Sequence, residues 1–164
     1  SPHNYITINR GSKHGIKPEM GIVDQNGVVG TVDVVGPNAS RVISLLNTNF
    51  RLSCKVKGSD SFGSLVWDGV SPYHAQREGM PRHVQYHRGD TIVTSGYSSV
   101  FPEGIIVGII DSDKKEATDN FISLKIKLTT DFTQLSTVRA ISSELKDELD
   151  MLEEQESGKE DKKQ

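Results

Sequence analysis

Residues 89–96 (Gly-Asp-Thr-Ile-Val-Thr-Ser-Gly) and residues 101–108 (Phe-Pro-Glu-Gly-Ile-Ile-Val-Gly) decide the fold class of this chain. The first stretch opens on a turn dipeptide and continues into a β-branched run, which favours a half-buried strand. The second opens on a tight corner, because its proline fixes φ and its first glycine reaches positive φ without steric cost. The apolar run that follows is interrupted only by Gly108, where a bend or close approach is expected. The pattern predicts two short strands joined by a compact loop.

The rest of residues 4–141 repeats this pattern of short β-prone runs separated by turn residues. No segment in this range sustains a 3.6-residue hydrophobic period, so we expect no helix longer than about two turns. Closely spaced short strands are typical of an all-β barrel or sandwich. The predicted strands are residues 5–8, 20–24, 28–35, 41–46, 52–56, 63–67, 84–86, 91–94, 105–111, 121–129 and 137–141.

An internal repeat with an offset of 78 residues relates the two halves of this region. The repeat predicts two related small β-barrels, and Gly30 and Gly108 are expected at matching strand positions. We place the first barrel in residues 4–67 and the second in residues 84–141, with residues 68–83 as a linker loop rich in Gly and Pro. The aligned pairs are Arg10-Gly11 with Arg88-Gly89, Gly30 with Gly108, Asp33 with Asp111, and Leu46 with Leu124.

The charge of the chain is concentrated in residues 142–164, an acidic tail with nine acidic and four basic residues. The body keeps 13 acidic and 15 basic residues, and such a near-neutral body excludes the basic stripe of a typical nucleic-acid-binding protein. Ser143 is a candidate helix cap, and Leu145, Leu149 and Leu152 recur along one helical face. Beyond Glu156 the tail lacks apolar residues, so disorder is expected there.

Cys54 is the only cysteine, so no internal disulfide can form. It alternates with Leu52 and Val56 on one face of a predicted strand and is interpreted as a small buried hydrophobe. No run approaches the ~20 apolar residues of a transmembrane helix, and no signal peptide opens the chain. Because a strand begins almost at once, we expect a domain cut from a longer protein.

Histidines and arginines cluster around the predicted linker, and an exposed partner-contacting patch competes there with a merely solvated basic edge. A metal site is not expected, because no Cys, Asp or Glu lies at a typical ligand spacing. Trp67 and Tyr73 flank the linker as possible aromatic anchors, although core packing is the simpler interpretation for Trp67. The possible partner contacts are Trp67, Tyr73, Arg77, Arg82, His83 and His87.

A serine-protease hypothesis arises because His14, Asp33 and Ser95 occur in the chain order of two-barrel proteases. Against it, no glycine-rich oxyanion loop precedes Ser95, and His14 lies in a tight turn. The Ser and Thr hydroxyls of the signature are better explained as local turn bonds. Glycine loops for phosphates or dinucleotides are also missing, because each must open a helix. We predict no catalytic residue, no metal and no cofactor.

The two opening stretches resemble signatures of the rod-shape-determining MreC family, whose pattern runs GD-x-V-x-TSG and then FP-x-G-I-x-VG. Residues 9–21 resemble a third family signature, residues 27–30 and 41–45 match weaker ones, and residues 63–69 depart from the family spacing by two inserted residues. The resemblance covers residues 4–141. The motif residues with an expected structural role are Gly11, Gly15, Gly30, Gly89, Asp90, Thr94, Ser95, Gly96, Phe101, Pro102, Gly104 and Gly108.

The resemblance implies a non-enzymatic scaffold of the cell-elongation machinery, placed in the periplasm and anchored in the inner membrane by an N-terminal helix outside this chain. It implies two six-stranded barrels like those of two-barrel proteases, without their catalytic residues. The implied partners are further copies of the chain, the membrane protein MreD and the elongation-specific penicillin-binding transpeptidase. The alternative is a two-barrel hydrolase, active or degenerate, which would need a cleft with converging His, Asp and Ser.

Overall fold

The computed structural model describes residues 1–98, 100–115, 120–142 and 144–161, and the regular secondary structure of its body is almost entirely β-strand. Between residues 4 and 141, the described helical structure is one 3-10 turn at Ser12–His14, so the all-β prediction is confirmed. The strands are β1 (His3–Ile8), β2 (Gly21–Asp24), β3 (Gly27–Val35), β4 (Ser40–Asn47), β5 (Arg51–Val56), β6 (Phe62–Val66), β7 (His74–Pro81), β8 (Thr91–Thr94), β9 (Ile106–Lys115), β10 (Phe121–Leu128) and β11 (Arg139–Ile141), followed by helix α1 (Glu144–Asp161).

The strands form two antiparallel sheets. One is a closed six-stranded barrel in the order β10-β7-β6-β5-β8-β9, called here the barrel. The other has the order β1-β4-β3-β2-β11 and is called here the open sheet, because β1 and β11 are its edges among the described strands. One of the two expected barrels is therefore closed, whereas the other unit is a five-stranded sheet.

The predicted domain boundaries were wrong. Strands β5 and β6, assigned to the first unit, pair with β8 and β7 of the barrel. Strand β7 occupies half of the predicted linker, residues 68–83. Strand β11, assigned to the second unit, pairs with β2 of the open sheet. The chain therefore crosses from the open sheet to the barrel after β4 and returns after β10.

Strand β7 was not predicted from the sequence. It contains Gly and Pro, which disfavour strands, and it carries a charged residue on its buried face: its sequence is His-Ala-Gln-Arg-Glu-Gly-Met-Pro. A cation at an inward position hides the period-2 apolar pattern that reveals a strand. Residues 84–86, predicted as a strand, form no ladder, although Val84 and Tyr86 are half-buried and their neighbours exposed. The alternation of half-buried and exposed residues is present there, but the segment pairs with no other strand in the described structure.

The two sheets share a strand order, which supports an internal repeat. In the barrel, β7-β10-β9-β8-β5 follow one another as β1-β4-β3-β2-β11 do in the open sheet. The ladders place Gly30 opposite Ile22 and Gly108 opposite Ile92, and a register shift follows each pair. Gly30 and Gly108 are therefore equivalent, as the offset of 78 predicted.

The same ladders also match Asp33 with Asp111, each of which lies within a register shift, but they correct the aligned pairs outside β3 and β9. Gly30 faces Ser44 and Gly108 faces Leu128, so β4 and β10 match with an offset of 84 rather than 78. Leu46 and Leu124 are thus not equivalent. A third offset applies to the turns before β2 and β8. The Glu19 backbone N–H donates to the Val32 carbonyl, and the Gly89 backbone N–H donates to the Ile110 carbonyl. Glu19 and Gly89 are therefore equivalent, with an offset of 70 residues. Hairpins of different length explain why one offset could not align all strands.

The sheets are joined by a loop of the second signature. Phe101 is buried with 3% of its surface exposed, and a β-carbon at Gly21 would lie 2.5 Å from its ring. Phe101 shares one hydrophobic cluster with Val23 and Val28 of the open sheet and with Val107 of the barrel. Nearby, the Thr130 hydroxyl donates to the Val28 carbonyl at 2.9 Å. Through Phe101, the signature loop therefore packs the barrel against the open sheet.

The tail forms helix α1, which continues to Asp161 instead of becoming disordered beyond Glu156 as expected. Leu152 of the predicted stripe is 57% exposed. Ser143, the proposed cap, and the side chains of Leu145 and Leu149 lie outside what the structure describes. In the described part of the chain, no helix has the length and apolar character needed to cross a membrane.

Candidate partner-binding surface

Thr94 fastens the loop that carries the signature between β8 and β9. Its hydroxyl donates to the Pro102 carbonyl at 2.7 Å and accepts from the Ile105 backbone N–H at 2.9 Å. The Gly104 backbone N–H donates to the Thr94 carbonyl at 2.9 Å. One buried threonine thus ties both ends of the loop together, which explains the Thr in this position.

Ser95 has the same structural character. It is 7% exposed, and its Oγ lies 2.7 Å from Ser53 Oγ and accepts from the Tyr97 backbone N–H at 3.1 Å. His14 Nδ1 accepts from the Gly11 backbone N–H at 3.0 Å, and Asp33 forms an ion pair with Arg41. Each member of the hypothetical triad therefore bonds to other groups, and the structure does not bring the three together.

A different Ser–His–Asp arrangement, which sequence reasoning missed, joins the start of β7 to β9. Ser71 Oγ lies 3.2 Å from His74 Nδ1, and His74 Nε2 lies 3.7 Å from Asp111 Oδ2. The His–Asp separation exceeds hydrogen-bond distance, and Ser71 Oγ also accepts from the Tyr73 backbone N–H at 3.2 Å. Ser71 thus closes a turn beside the His74–Asp111 contact, and Arg88 Nη2 lies 3.6 Å from Asp111 Oδ1.

The motif glycines occupy turns and close contacts. Gly11 packs against the Gly36 and Pro37 backbone, where a β-carbon would lie 2.1 Å from the Gly36 oxygen. Asp90 Oδ2 accepts from the His87 backbone N–H at 2.8 Å and closes the turn before β8. The motif glycines with positive φ are Gly15, Gly89, Gly96 and Gly104.

Two of the six possible contact residues are buried, which corrects their assignment. Trp67 is 6% exposed, and its Nε1–H donates to the Ser71 carbonyl at 2.8 Å, so it is a core residue. Arg77 has no exposed surface and lies inside the barrel. Neither can contact a partner while the barrel is folded.

Arg77 is a buried cation held by carbonyl groups. Its Nη1 and Nη2 donate to the Glu78 and Ser61 carbonyls, each at 3.1 Å, while Nε has no partner in the described part of the chain. Burial lowers the pKa of Arg77, against the effect of its neighbour Cys54. Burial raises the pKa of the Cys54 thiol to about 12, although Arg77 acts in the opposite direction. The prediction of Cys54 as a buried small residue is confirmed.

The four other predicted contacts are exposed: Tyr73, Arg82, His83 and His87. His87 Nδ1 lies 3.9 Å from Asp90 Oδ2 at the turn before β8. Within the described ranges, no group of three His, Cys, Asp or Glu side chains comes close enough to hold a metal ion. A role for these four residues in partner contact stays a prediction.

An exposed aromatic pair lies beside the signature loop. The Phe62 and Tyr97 rings are 5.8 Å apart between centroids and tilted by 40°, and they are 50% and 77% exposed. An ion pair between Lys55 and Glu103 flanks them, next to a cavity of about 280 Å³. Phe62, Tyr97, Lys55 and Glu103 are called here the aromatic surface. Sequence reasoning missed it, although the position of Tyr97 directly after the Ser95-Gly96 signature was a signal.

Comparison with known proteins identifies relatives over the strand-rich body. The family model described as rod shape-determining protein MreC, barrel core, matches residues 1–142. The cell shape-determining protein MreC of Haemophilus influenzae is 31% identical over 126 residues, covering 74% of this chain and 34% of that protein. The protein of the same name from Cereibacter sphaeroides is 30% identical over 138 residues, 84% of this chain and 43% of its own length. The chain thus spans less than half of these curated relatives.

Solved structures share the fold. MreC from Pseudomonas aeruginosa superposes with a TM-score of 0.79 at 21% identity, over 85% of this chain and 90% of that chain. A complex between penicillin-binding protein PBP2 and MreC from Helicobacter pylori contains a chain with a TM-score of 0.60 at 18% identity, covering 75% of this chain and 76% of that one. At such identities the likeness concerns the fold.

Proposed function

The chain belongs to the rod shape-determining MreC family, and from this premise we propose that it is a non-enzymatic scaffold of the bacterial cell-elongation machinery. The observation that carries the proposal is the match of the barrel-core model to residues 1–142, which include both sheets. The Ser95 hydroxyl supports it, since its bonds are to Ser53 and the Tyr97 backbone and not to a base. Ser71 does contact His74, but the Asp111 carboxylate lies 3.7 Å from the imidazole and does not complete a hydrogen-bonded triad.

A labelling experiment separates the scaffold from the hydrolase alternative. A fluorophosphonate serine-hydrolase probe should leave the folded chain unlabelled, because Ser95 bonds to no base and the Ser71–His74 pair lacks a hydrogen-bonded carboxylate. Labelling that disappears in Ser71→Ala or Ser95→Ala would contradict the proposal. The matched control is Ser98→Ala, since Ser98 lies in the same loop as Ser95.

We place the body in the periplasm, held near the inner membrane by a longer protein of which this chain is a part. The resemblance also leads us to propose contact with MreD and weak self-association of the chain. The near-neutral body supports self-association, because little long-range repulsion opposes the approach of two copies.

We propose further that the aromatic surface binds the elongation-specific penicillin-binding transpeptidase. A related fold occurs in a complex with PBP2, which makes such a partner reasonable. Exposed aromatic rings commonly supply the central contacts of protein interfaces, and Phe62 and Tyr97 are the closely paired exposed rings here. The neighbouring Lys55–Glu103 ion pair supplies a polar rim.

Binding of the transpeptidase's periplasmic domain to immobilised chain tests the assignment. The double variant Phe62→Ser/Tyr97→Ser should weaken binding at least tenfold, since each lost aromatic anchor typically costs over 1 kcal/mol. Phe121→Ser is the matched control, because Phe121 is 53% exposed on a different strand. Equal loss in both variants, or loss only in His83→Ala/His87→Ala, would move the interface elsewhere.

A further inference from the structure

The correspondence between the two sheets leaves one strand position open. In the barrel, β6 lies between β5 and β7 and pairs antiparallel with both. The equivalents of β5 and β7 are β11 and β1 of the open sheet. No described strand lies between those two, so the outer backbone edge of β1 has no strand partner in the described part of the chain.

Strand β1 lacks the features that usually keep an edge from pairing. Natural edge strands are protected by charged residues, proline or short length. β1 has six residues, His-Asn-Tyr-Ile-Thr-Ile, with no Lys, Arg, Asp, Glu or Pro. The opposite edge, β11, has only three residues and carries Arg139. Of the two edges, β1 is the one suited to strand addition.

The surface beside β1 is a groove of mixed polarity. A groove of about 410 Å³ runs between β1 and the segment that follows β6. Val70 on its far wall is 79% exposed, and Tyr5 is 49% exposed with its ring 4.5 Å beneath the Arg41 guanidinium carbon. Its lining mixes apolar side chains with polar ones, namely Tyr5, Ile6, Val70 and Phe132 with Ser1, Asn4 and Ser44. None of the described side chains that line it is charged, so a neutral strand fits this edge better than a charged one.

We propose that the outer edge of β1 pairs antiparallel with β1 of a second copy of this chain, which joins two open sheets across a two-fold axis. The inference deepens the self-association in the proposed function and names its surface. A two-fold axis makes identical strands antiparallel, and each copy then supplies the same patch to the other. An uncharged strand is its own electrostatic complement, because the pairing sets no like charges opposite each other. We set the two-fold axis at Thr7, so that the exposed Thr7 of each copy would face Thr7 of the other across the new ladder.

Sedimentation velocity of the chain over a concentration series tests the proposal. Thr7→Lys adds a charge to the exposed face of β1 and should weaken the dimer roughly fivefold or more, because like charges meet across the axis. Val34→Lys is the matched control. Arg41 of β4 pairs with Thr7 of β1 on one side and with Val34 of β3 on the other. A lysine at either position therefore has the same cross-strand neighbour, but only position 7 lies at the edge of the sheet. Val34→Lys should therefore dimerise like the unchanged chain.

Two further measurements make the outcome decisive. Mixing Thr7→Lys with Thr7→Glu should restore association, because opposite charges then meet across the axis. Amide hydrogen exchange should show protection in β1 that grows with concentration. A chain that stays monomeric, equal loss in Thr7→Lys and Val34→Lys, or concentration-dependent protection confined to α1 or to another strand would overturn the proposal. The proposed function is judged separately, since transpeptidase binding should be unchanged in Thr7→Lys.

Discussion

The barrel and the open sheet are two versions of one strand arrangement, and they differ in closure. In both, five neighbouring strands follow the same spatial order. Gly30 in the open sheet and Gly108 in the barrel each lie next to a register shift in equivalent ladders. Only the barrel has β6, which closes it and removes its edges. The comparison teaches that the glycine signature determines the local geometry of a sheet, while one additional strand determines whether that sheet presents an edge.

The open sheet and the barrel also carry different side chains at equivalent strand positions. Ile8 of β1 faces Ser40, and Arg77 of β7 faces Leu124, which is the equivalent of Ser40. An isoleucine in the open sheet is thus replaced by a buried arginine in the barrel. The guanidinium fits because Gly63 of β6 has no side chain, and a β-carbon there would lie 2.3 Å from Arg77 Cζ. The strand that closes the barrel therefore also makes room for its internal cation.

The largest expected effects concern the shared glycines. Gly30→Ala and Gly108→Ala should each lower the free energy of unfolding by about 3 kcal/mol or more, at the upper end of overpacking effects. A β-carbon would lie 2.1 Å from the Ile43 oxygen or 2.5 Å from the Lys127 oxygen, and these two carbonyls precede the equivalent partners Ser44 and Leu128. Urea denaturation measures both losses.

The control for these variants is Gly158→Ala, where a β-carbon would meet open space in α1. Its body should unfold at the same urea concentration as the unchanged chain. If Gly30→Ala and Gly108→Ala differ severalfold in their cost, the two glycines are not equivalent and the internal repeat loses its main structural support.

The next effect concerns the buried cation that distinguishes the barrel. Gly63→Ala should cost about 1–3 kcal/mol, because the guanidinium of Arg77 cannot retreat without losing its carbonyl bonds. In the double variant Gly63→Ala/Arg77→Leu, the cost should be smaller than the sum of the single costs, since leucine leaves space for the methyl group. A double-mutant cycle in urea provides the measurement. Additive costs would mean that the two residues do not constrain each other.

Most of the fold could be predicted from the sequence, because ten of the eleven strands in the described ranges have local β signals between turn residues. What could not be predicted is which strands pair. The crossing of β5 and β6 into the barrel, and the return of β11, depend on long-range ladders that leave no local trace. The motif glycines were found from sequence. The aromatic surface was not, because Phe62 and Tyr97 are 35 residues apart and meet only through the β5–β6–β8 ladders.

We expect smaller changes in stability from substitutions in the turns that precede β2 and β8. Glu19 and Gly89 occupy equivalent places and both have positive φ, at 67° and 92°. Gly89→Ala should destabilise the chain by about 1–2 kcal/mol, because an L-residue is strained in this region. Glu19→Gly should change stability by less than about 1 kcal/mol, because the strain relieved in the folded state is offset by greater freedom of the unfolded chain.

Thermal unfolding of the two variants checks this asymmetry. Asp60→Ala serves as the control, since Asp60 lies in an exposed turn between β5 and β6. If Glu19→Gly lowers the melting temperature as much as Gly89→Ala does, the side chain of Glu19 contributes to stability, and the positive φ is not the property that the two turns share.

The smallest effect is a titration that belongs to the barrel side of the molecule. Burial, and next a hydrogen bond to Asp113, raise the pKa of Tyr86 to about 12. Because the folded-state pKa lies above the unfolded value, this stabilisation is fully present below pH 10 and is lost as pH rises towards 12. Ultraviolet titration of the folded chain should show one tyrosinate component appearing near pH 12, and Tyr86→Phe should remove it. Tyr97→Phe should leave that component in place. Loss of the late component in Asp113→Ala alone, with none in Tyr86→Phe, would assign it to another tyrosine.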